Sequence, residues 1–167
     1  MIPVTLMMAV TLDGKIAKTD KHFPDWTSKE DKKLFASVSK EHRVVMMGEK
    51  TFYTFPSPLK DRLNVVFTLE KNPPAIEGVK WVSGDPVEVL RELAGMGYEK
   101  ALLGGGAYLN TLFLEKHLIS EIILTVEPKI FGAGLSLFNN DFNINLKLKE
   151  LKKINDDAFV VTYKVLY

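Results

Sequence analysis

Short apolar runs rich in Val, Ile and Leu alternate along this chain with segments of helical periodicity. The runs are too short to span a membrane, and such alternation predicts an α/β fold whose mostly parallel sheet carries helices on both faces. The last two runs, residues 146–153 and 158–166, alternate apolar and polar residues and predict a C-terminal antiparallel hairpin. In sheets of this kind, ligands bind beyond the carboxyl ends of the strands.

The predicted elements follow one another without a repeat, a low-complexity tract or a linker. The predicted strands before the hairpin cover residues 3–10, 43–47, 63–68, 80–82, 100–103 and 120–128. A helix is predicted over 28–39, a short one after Gly48, one over 86–96 and one from the glycines at 104–106 to about Glu115. A single domain over 1–167 is therefore predicted.

The charge of the chain is balanced, with 22 basic and 21 acidic residues. This balance argues against nucleic acid or an anionic membrane as the main partner. The partner that we expect is a small-molecule substrate. There is no cysteine, and the three histidines are scattered without ligand spacing, so we predict surface histidines and no metal site. We expect a cytoplasmic protein, and the sequence leaves a homodimer open.

An acid stands on the apolar face of the first predicted helix. Thr27 and Glu30 have the spacing of a capping box. Asp31 then falls on the stripe that should face the core, which is formed by Leu34, Phe35 and Val38. One interpretation is a buried carboxyl that keeps its proton near neutral pH and acts as an acid. The other is a first-turn acid favoured by the helix dipole, with its side chain at the rim.

Two glycine-led segments follow predicted strands. Gly104, Gly105 and Gly106 precede a helix, and Gly48 opens the segment Gly48-Glu49-Lys50-Thr51. Backbone amides at such points can hold phosphate, although each segment could also be an ordinary turn. Two segments together favour one phosphate-bearing cofactor.

Two polar residues, Arg62 just before a predicted strand and Thr125 within one, each allow two interpretations. Arg62 could hold a carboxylate or a phosphate, or it could be a solvated charge beside a strand. Thr125 could orient a ligand, or it could bond a neighbouring carbonyl.

Taken in order, six segments resemble the dihydrofolate reductase superfamily, which includes dihydrofolate reductase and the pyrimidine reductase of riboflavin biosynthesis. They are AVTLDGKIA (9–17), DWTSKED (25–31), VVMMGEKTF (44–52), PLKDRLNVVFT (58–68), LLGGGAYL (102–109) and LTVEP (124–128). In dihydrofolate reductase, the only carboxylate of the pteridine pocket follows a Trp by five residues and precedes a Phe by four. Trp26, Asp31 and Phe35 keep these offsets, so the resemblance favours the functional interpretation of Asp31.

The resemblance implies a dihydrofolate-reductase-like fold and a set of site residues. Asp31, Thr125 and Trp26 would be catalytic, with Asp31 helping to supply the proton that accompanies hydride transfer. The implied substrate-binding residues are Ala9, Asp31, Phe35, Leu59, Arg62 and Thr125, with Arg62 on the carboxylate of the glutamate tail. The implied cofactor-binding residues are Ala9, Ile16, Ala17, Gly48, Glu49, Lys50, Thr51, Thr68, Leu103, Gly104, Gly105 and Gly106. The peptide bond between Gly104 and Gly105 would be cis.

The implied cofactor is NADPH, but the sequence departs from the pattern at one cofactor position. Glu49 stands where an Arg usually pairs with the 2′-phosphate, and Glu70 adds an acid near the same end of the site. Since like charge close to a phosphate is unfavourable, NADH is also possible.

The sequence leaves three functions open. The first is reduction of 7,8-dihydrofolate, which is favoured because Arg62 runs directly into the next strand and PSPL stands where riboflavin relatives have another pattern. The second is reduction of a 5-amino-6-ribosylaminopyrimidine phosphate in riboflavin biosynthesis. The third is a non-catalytic nucleotide-binding protein on the same fold, to which only Glu49 points.

Overall fold

A computed structural model describes residues 1–167 as an α/β fold of ten strands and four helices. The strands are β1 Val4–Thr11, β2 Lys15–Ala17, β3 Val44–Gly48, β4 Leu63–Phe67, β5 Val79–Val82, β6 Ala101–Leu103, β7 Ile119–Glu127, β8 Leu135–Ser136, β9 Asn145–Lys153 and β10 Phe159–Leu166. The helices are α1 Lys29–His42, α2 Glu49–Phe52, α3 Pro86–Gly95 and α4 Ala107–Glu115.

Eight strands form one sheet in the order β5-β4-β3-β6-β1-β7-β10-β9. The six strands from β5 to β7 are parallel, whereas β10 runs antiparallel to both β7 and β9. The predicted fold class is therefore confirmed, including the C-terminal antiparallel pair. Strands β2 and β8 were not predicted, because two or three residues are too few to show a periodicity.

Helices cover both faces of the sheet, as predicted. α1 packs Leu34, Phe35 and Val38 against one core cluster. α3 and α4 pack on the opposite face around the fully buried Phe113. The strand interiors are apolar on both sides, which is the pattern that parallel sheets require.

The start and end of α1 differ from the prediction. Ser28, rather than Thr27, is the N-cap, and its hydroxyl accepts a hydrogen bond of 3.2 Å from the Asp31 amide. The helix continues past residue 39 to His42 and ends at Arg43, whose φ of 64° closes it in the left-handed region. Ser28 and Thr27 are both good capping residues, so composition alone could not choose between them.

His42 is buried, with 8% of its surface exposed, so the prediction of a surface position was wrong for this histidine. Its Nδ1 lies 2.8 Å from the Val38 carbonyl, which only accepts, so Nδ1 carries the proton. Its Nε2 then accepts from the Thr5 hydroxyl at 3.3 Å. Among the helices of the fold, none combines the length and the apolar character needed to cross a bilayer.

Candidate active site

Asp31 lies in the first turn of α1 and points into the fold, with only 8% of its surface exposed. The strand beneath it is β7, whose Thr125 is fully buried. Ala9 on β1 pairs in register with Thr125, so these residues share the edge of the sheet near the carboxyl ends of its strands. The interpretation of Asp31 as an inward-facing acid is therefore correct.

The surroundings of Asp31 favour its protonated form. Burial raises the pKa of the Asp31 carboxyl above its ordinary value, and the negative charge of Glu127 acts in the same direction. The hydroxyls of Thr125 and Thr27 and the ammonium of Lys32 oppose this rise without cancelling it. The Thr125 hydroxyl lies close enough to affect the pKa of Asp31, yet it completes no hydrogen bond of ordinary geometry. A buried hydroxyl without a partner is uncommon, and it leaves Thr125 free to bond a bound molecule.

Glu127 is a second buried carboxylate beside Asp31. It is 3% exposed and lies two residues after Thr125 on β7. One of its oxygens accepts hydrogen bonds from the Ser28 amide at 2.9 Å and from the Ser28 hydroxyl at 2.7 Å. The N-cap of α1 is thereby tied to the end of β7.

The two glycine segments meet at the carboxyl ends of β3 and β6. The Gly48 amide donates to the Gly105 carbonyl at 2.9 Å, and the Gly104 amide donates to the Met46 carbonyl at 2.8 Å. Gly105 has a φ of 95°, and a Cβ on it would lie 2.8 Å from the Met8 sulfur. A Cβ on Gly106 would lie 3.3 Å from the Thr51 hydroxyl. Because side chains would fill this cradle, the backbone here can approach a ligand closely.

The cis peptide bond at this turn joins Gly105 to Gly106, one residue later than the resemblance implied. Gly106 is the N-cap of α4, and the first turn of that helix carries no acidic residue. Leu103, at the end of β6, is fully buried beneath the turn. The cradle therefore fits an anionic group such as the pyrophosphate of a nicotinamide dinucleotide.

An aromatic wall joins α1 to this turn. The Phe35 ring comes within 3.9 Å of the position that a Cβ on Gly104 would take, and it stacks on Phe55 with centroids 6.3 Å apart. Leu59 packs into the same cluster, and its amide donates to the Asn64 side chain at 3.0 Å. Since Phe35 follows Asp31 by one helical turn, the acid and the glycine turn border one space.

Arg62 contacts the carboxyl-terminal half of α1. Its Nε donates to the Lys60 carbonyl at 2.7 Å, and its Nη1 donates to the Ser39 hydroxyl and, at 3.5 Å, to the Ala36 carbonyl. Partial burial lowers the pKa of Arg62. The side chain is therefore bonded to protein groups, and its remaining N–H donors are those that a ligand could use.

A sequence model of the RibD C-terminal domain matches residues 3–160. The chain belongs to the RibD C-terminal domain family. This membership makes it part of a family of NAD(P)H-dependent reductases with a dihydrofolate-reductase-like fold.

Relatives of this RibD C-terminal domain come from both branches of the superfamily. The dihydrofolate reductase of Ureaplasma parvum is 28% identical over 159 residues, which are 95% of this chain and 94% of that protein. The solved structure of Acinetobacter baumannii RibD superposes with a TM-score of 0.86 at 20% identity, over 100% of this chain and 59% of that one. Dihydrofolate reductase from Enterococcus faecalis, complexed with NADP(H) and RAB-propyl, gives a TM-score of 0.74 at 21% identity, over 98% and 96% of the two chains. At these identities, the structures establish the fold alone.

In this RibD C-terminal domain, two acidic residues, Glu49 and Glu70, lie beside Thr68 near the start of α2. The Thr68 hydroxyl donates to Glu49 at 2.6 Å and accepts from the Glu70 amide at 3.0 Å. Lys50 points instead to Asp20, with 2.8 Å between its ammonium and the carboxylate. The Glu49–Thr68 pair can bond a ribose hydroxyl, whereas no cation is bonded to it that would match a 2′-phosphate.

The loop between β2 and α1 lies against the turn that follows β7. The Trp26 ring meets Phe131 edge to face, with centroids 5.1 Å apart, and the Lys18 ammonium lies 5.3 Å from the Phe131 centroid. Ile16 and Ala17 are half-buried in β2. A Cβ on Gly134 would lie 2.5 Å from the Ala17 carbonyl, so β8 approaches this loop very closely.

A cavity of about 500 Å³ adjoins the candidate site without containing it. It opens at the end of β7, and its lining includes Leu12, Val126, Glu127, Ile130 and Phe159. Asp31 and the glycine cradle do not line it. No cluster of three or more His, Asp or Glu side chains in the fold could hold a metal ion.

Three polar residues of this region, Ser28, Glu127 and Asn110, were not predicted from the sequence. Glu127 was detectable, because it lies two residues after Thr125 in a strand and so points to the same face. The Asn110 amide nitrogen donates to the Leu137 carbonyl at 3.1 Å, while its oxygen is buried without a partner beside Gly105. No sequence pattern distinguishes this asparagine from an ordinary residue of a helix.

Proposed function

We propose that this protein reduces 7,8-dihydrofolate to 5,6,7,8-tetrahydrofolate. The observation that carries the proposal is the buried Asp31 carboxyl beside the unpartnered Thr125 hydroxyl, one helical turn from the aromatic wall at the glycine cradle. The Ureaplasma parvum relative, which carries the name dihydrofolate reductase, supports the choice of substrate.

Each group of the site has a role in this reaction. A reduced nicotinamide, when bound, supplies the hydride that goes to one carbon of a carbon–nitrogen double bond. Asp31 supplies the proton for the nitrogen, directly or through water, and Thr125 orients the Asp31 carboxyl. Phe35 and Leu59 exclude water from the substrate ring. Trp26 and the loop over residues 16–25 cover the reacting groups, and Arg62 binds the carboxylate of the substrate tail with its free donors.

The cofactor is held along the same edge. Gly104, Gly105 and Gly106 with Gly48 and Thr51 bind the pyrophosphate, and Ala9, Ile16, Ala17 and Leu103 border the nicotinamide. Lys50, which pairs with Asp20, would supply an ammonium for a cofactor phosphate. NADPH is the cofactor expected from the family. Glu49 and Thr68 weaken this preference, and they make NADH a usable donor.

A second candidate function is the reduction of a 5-amino-6-ribosylaminopyrimidine phosphate. The match to the RibD C-terminal domain over residues 3–160 favours it. The same Asp31 and glycine cradle would serve, with Arg62 on the ribose phosphate in place of a carboxylate.

A direct assay separates these functions. Oxidation of NADPH, and in parallel of NADH, is followed by absorbance with dihydrofolate and with the riboflavin-pathway pyrimidine. Turnover of dihydrofolate supports the proposal, and turnover of the pyrimidine alone replaces it with the second candidate. Cofactor binding without turnover of either substrate would identify a non-catalytic nucleotide-binding protein.

The role of Glu49 is tested by Glu49→Arg. A new charge-assisted contact to the 2′-phosphate contributes about 1.5–3 kcal/mol, so NADPH binding should tighten by about tenfold or more while NADH changes little. Glu70→Arg makes the same change of charge at the other acid of this end, and a smaller gain there would show that the effect requires position 49. Equal affinities before and after the Glu49 change would show that residue 49 does not face the phosphate.

A further inference from the structure

We propose that Glu127 is a positioning residue for Asp31: it fixes the start of α1 through Ser28 and places a second negative charge beside the Asp31 carboxyl. This inference rests on the proposed role of Asp31 as proton donor. Neither the family match nor the resemblance assigns any role to Glu127.

The positioning is carried by a chain of hydrogen bonds. The Ser28 amide and hydroxyl both donate to Glu127 Oε1, at 2.9 and 2.7 Å. The same hydroxyl accepts from the Asp31 amide at 3.2 Å. Glu127 therefore holds the N-cap whose next turn carries Asp31, and it links that turn to the strand that carries Thr125.

The charge effect depends on which neighbours face Asp31. On the sheet, Ala9 and Thr11 of β1 and Val160 of β10 pair with the Thr125–Glu127 segment, and all three are uncharged. Within this segment of β7, the charged residue is Glu127 itself.

Three other charged groups around the start of α1 bond protein groups, although the Lys32 ammonium also acts on Asp31 and opposes the rise of its pKa. The Lys32 ammonium bonds the Thr27 carbonyl and hydroxyl, at 2.9 and 3.0 Å. The Glu30 carboxylate accepts from Asn155 at 3.4 Å. The Asp13 carboxylate accepts from the Gly132 amide at 2.7 Å. Glu127 is therefore the anionic neighbour that acts on Asp31, in the direction that keeps its proton bound.

Two carboxyl groups in one buried site cannot both be charged without cost. Ser28 donates two hydrogen bonds to Glu127, whereas burial is the dominant influence on Asp31 and raises its pKa, so Asp31 keeps its proton to a higher pH than an exposed carboxyl would. Glu127 thus extends the pH range over which Asp31 can donate a proton.

The test compares wild type with Glu127→Gln, which keeps an acceptor for Ser28 and removes the charge. Glu127→Ala, in which water can bond the Ser28 donors, repeats the charge removal should the first variant not fold. Glu127→Asp keeps a charge, and Glu30→Gln is the matched control on the surface side of α1. The Asp31 carboxyl is titrated by ¹³C NMR in the free protein, with Asp31→Asn identifying its signal, and kcat/KM is measured against pH.

In Glu127→Gln, the Asp31 midpoint should move to lower pH, and kcat/KM should fall several-fold at neutral pH while converging with wild type in acid. Glu127→Asp and Glu30→Gln should keep a midpoint near that of wild type. An unchanged Asp31 midpoint with a loss of activity that is equal at every pH would overturn the inference and leave Glu127 as a structural residue. Absence of turnover with either substrate would refute the proposed function, and the NMR titration would still decide the effect of Glu127 on Asp31.

Discussion

The two ends of α1 bury polar groups in opposite ways. At its amino end, Asp31 lies beside a hydroxyl that lacks a full hydrogen bond and beside the like charge of Glu127. At its carboxyl end, both ring nitrogens of His42 have partners, and the buried Ser39 hydroxyl donates to the Ala36 carbonyl and accepts from Arg62. One helix thus carries an incompletely satisfied cluster near the carboxyl ends of the strands and a satisfied cluster at its other end.

This difference indicates which end of α1 is the candidate site and which end stabilises the fold. Buried polar groups are normally bonded, because a buried group without a partner costs about 1–3 kcal/mol. A fold keeps such a cost where a ligand or a proton transfer needs the free group. The amino end of α1 is therefore the candidate site, and the carboxyl end is a scaffold that also presents Arg62.

The largest expected effect is on turnover at the amino end. Asp31→Asn should lower kcat by about 10²–10⁴-fold at neutral pH, since the variant lacks the general acid. The loss should shrink as the pH falls, because solvent then supplies the proton. A pH profile of kcat for both proteins checks this, with Glu30→Gln as a control that should keep most activity. Turnover close to wild type at neutral pH would remove Asp31 from the mechanism.

Arg62 tests whether the satisfied end of α1 also binds substrate. Arg62→Leu should raise the KM for dihydrofolate by about tenfold or more, because a charge-assisted contact contributes about 1.5–3 kcal/mol in both ground and transition states. A pterin without the glutamate tail should be unaffected, and Ser39→Ala, which removes only the internal partner, should have a smaller effect. An equal loss for the tailless pterin would make Arg62 structural.

The smallest expected effect is that of His42 on the free energy of unfolding, and the sign of its pH dependence follows from the lowered pKa. Burial lowers the pKa of His42 from its ordinary value of 6.5, with Lys100 adding to the shift and the Val38 carbonyl opposing it. The neutral ring is therefore the stable form, so its contribution is complete above pH 6.5 and is lost as the pH falls from there through the lowered pKa. The free energy of unfolding should fall with pH in that window, with a slope of at most about 1.4 kcal/mol per pH unit, which is the value for uptake of one proton.

Chemical unfolding of wild type and His42→Gln across this range measures the effect. The variant should lack this part of the acid sensitivity, whereas His117→Gln, at an exposed turn after α4, should keep it. Identical pH dependence in wild type and His42→Gln would show that His42 is not protected from protonation.

The sequence predicts the sheet and the helices because their signals are local and repeated. Apolar runs located β1, β3, β4 and β6, and a Leu-Phe-Val stripe oriented α1 and with it Asp31. The exact N-cap could not be predicted, because Thr27 and Ser28 are equivalent in the sequence and only the Ser28 contact to Glu127 decides between them. The hydrogen bond of His42 to Thr5 joins residues that are distant in sequence, so the pattern around His42 does not predict it.

Part of the candidate site could also be predicted, because its signals are local in the sequence. Glycines after strands and an acid on an apolar stripe are visible in the sequence. The Glu49–Thr68 contact and the pairing of Lys50 with Asp20 join residues that are distant in sequence, so no local pattern contains them.

The most direct test of the account is the stability of Asp31→Asn at neutral pH. Because the folded state raises the pKa of Asp31, the contribution of this carboxyl to stability is complete below its ordinary pKa and is lost as the pH rises through the raised value. Replacing it with a neutral amide should therefore increase the free energy of unfolding by about 0.5–2 kcal/mol at neutral pH, and by less in acid. Urea unfolding of the two proteins, followed by circular dichroism, measures this difference. A less stable variant at neutral pH would show that Asp31 is a satisfied structural acid like the groups at the other end of α1, and it would contradict the account.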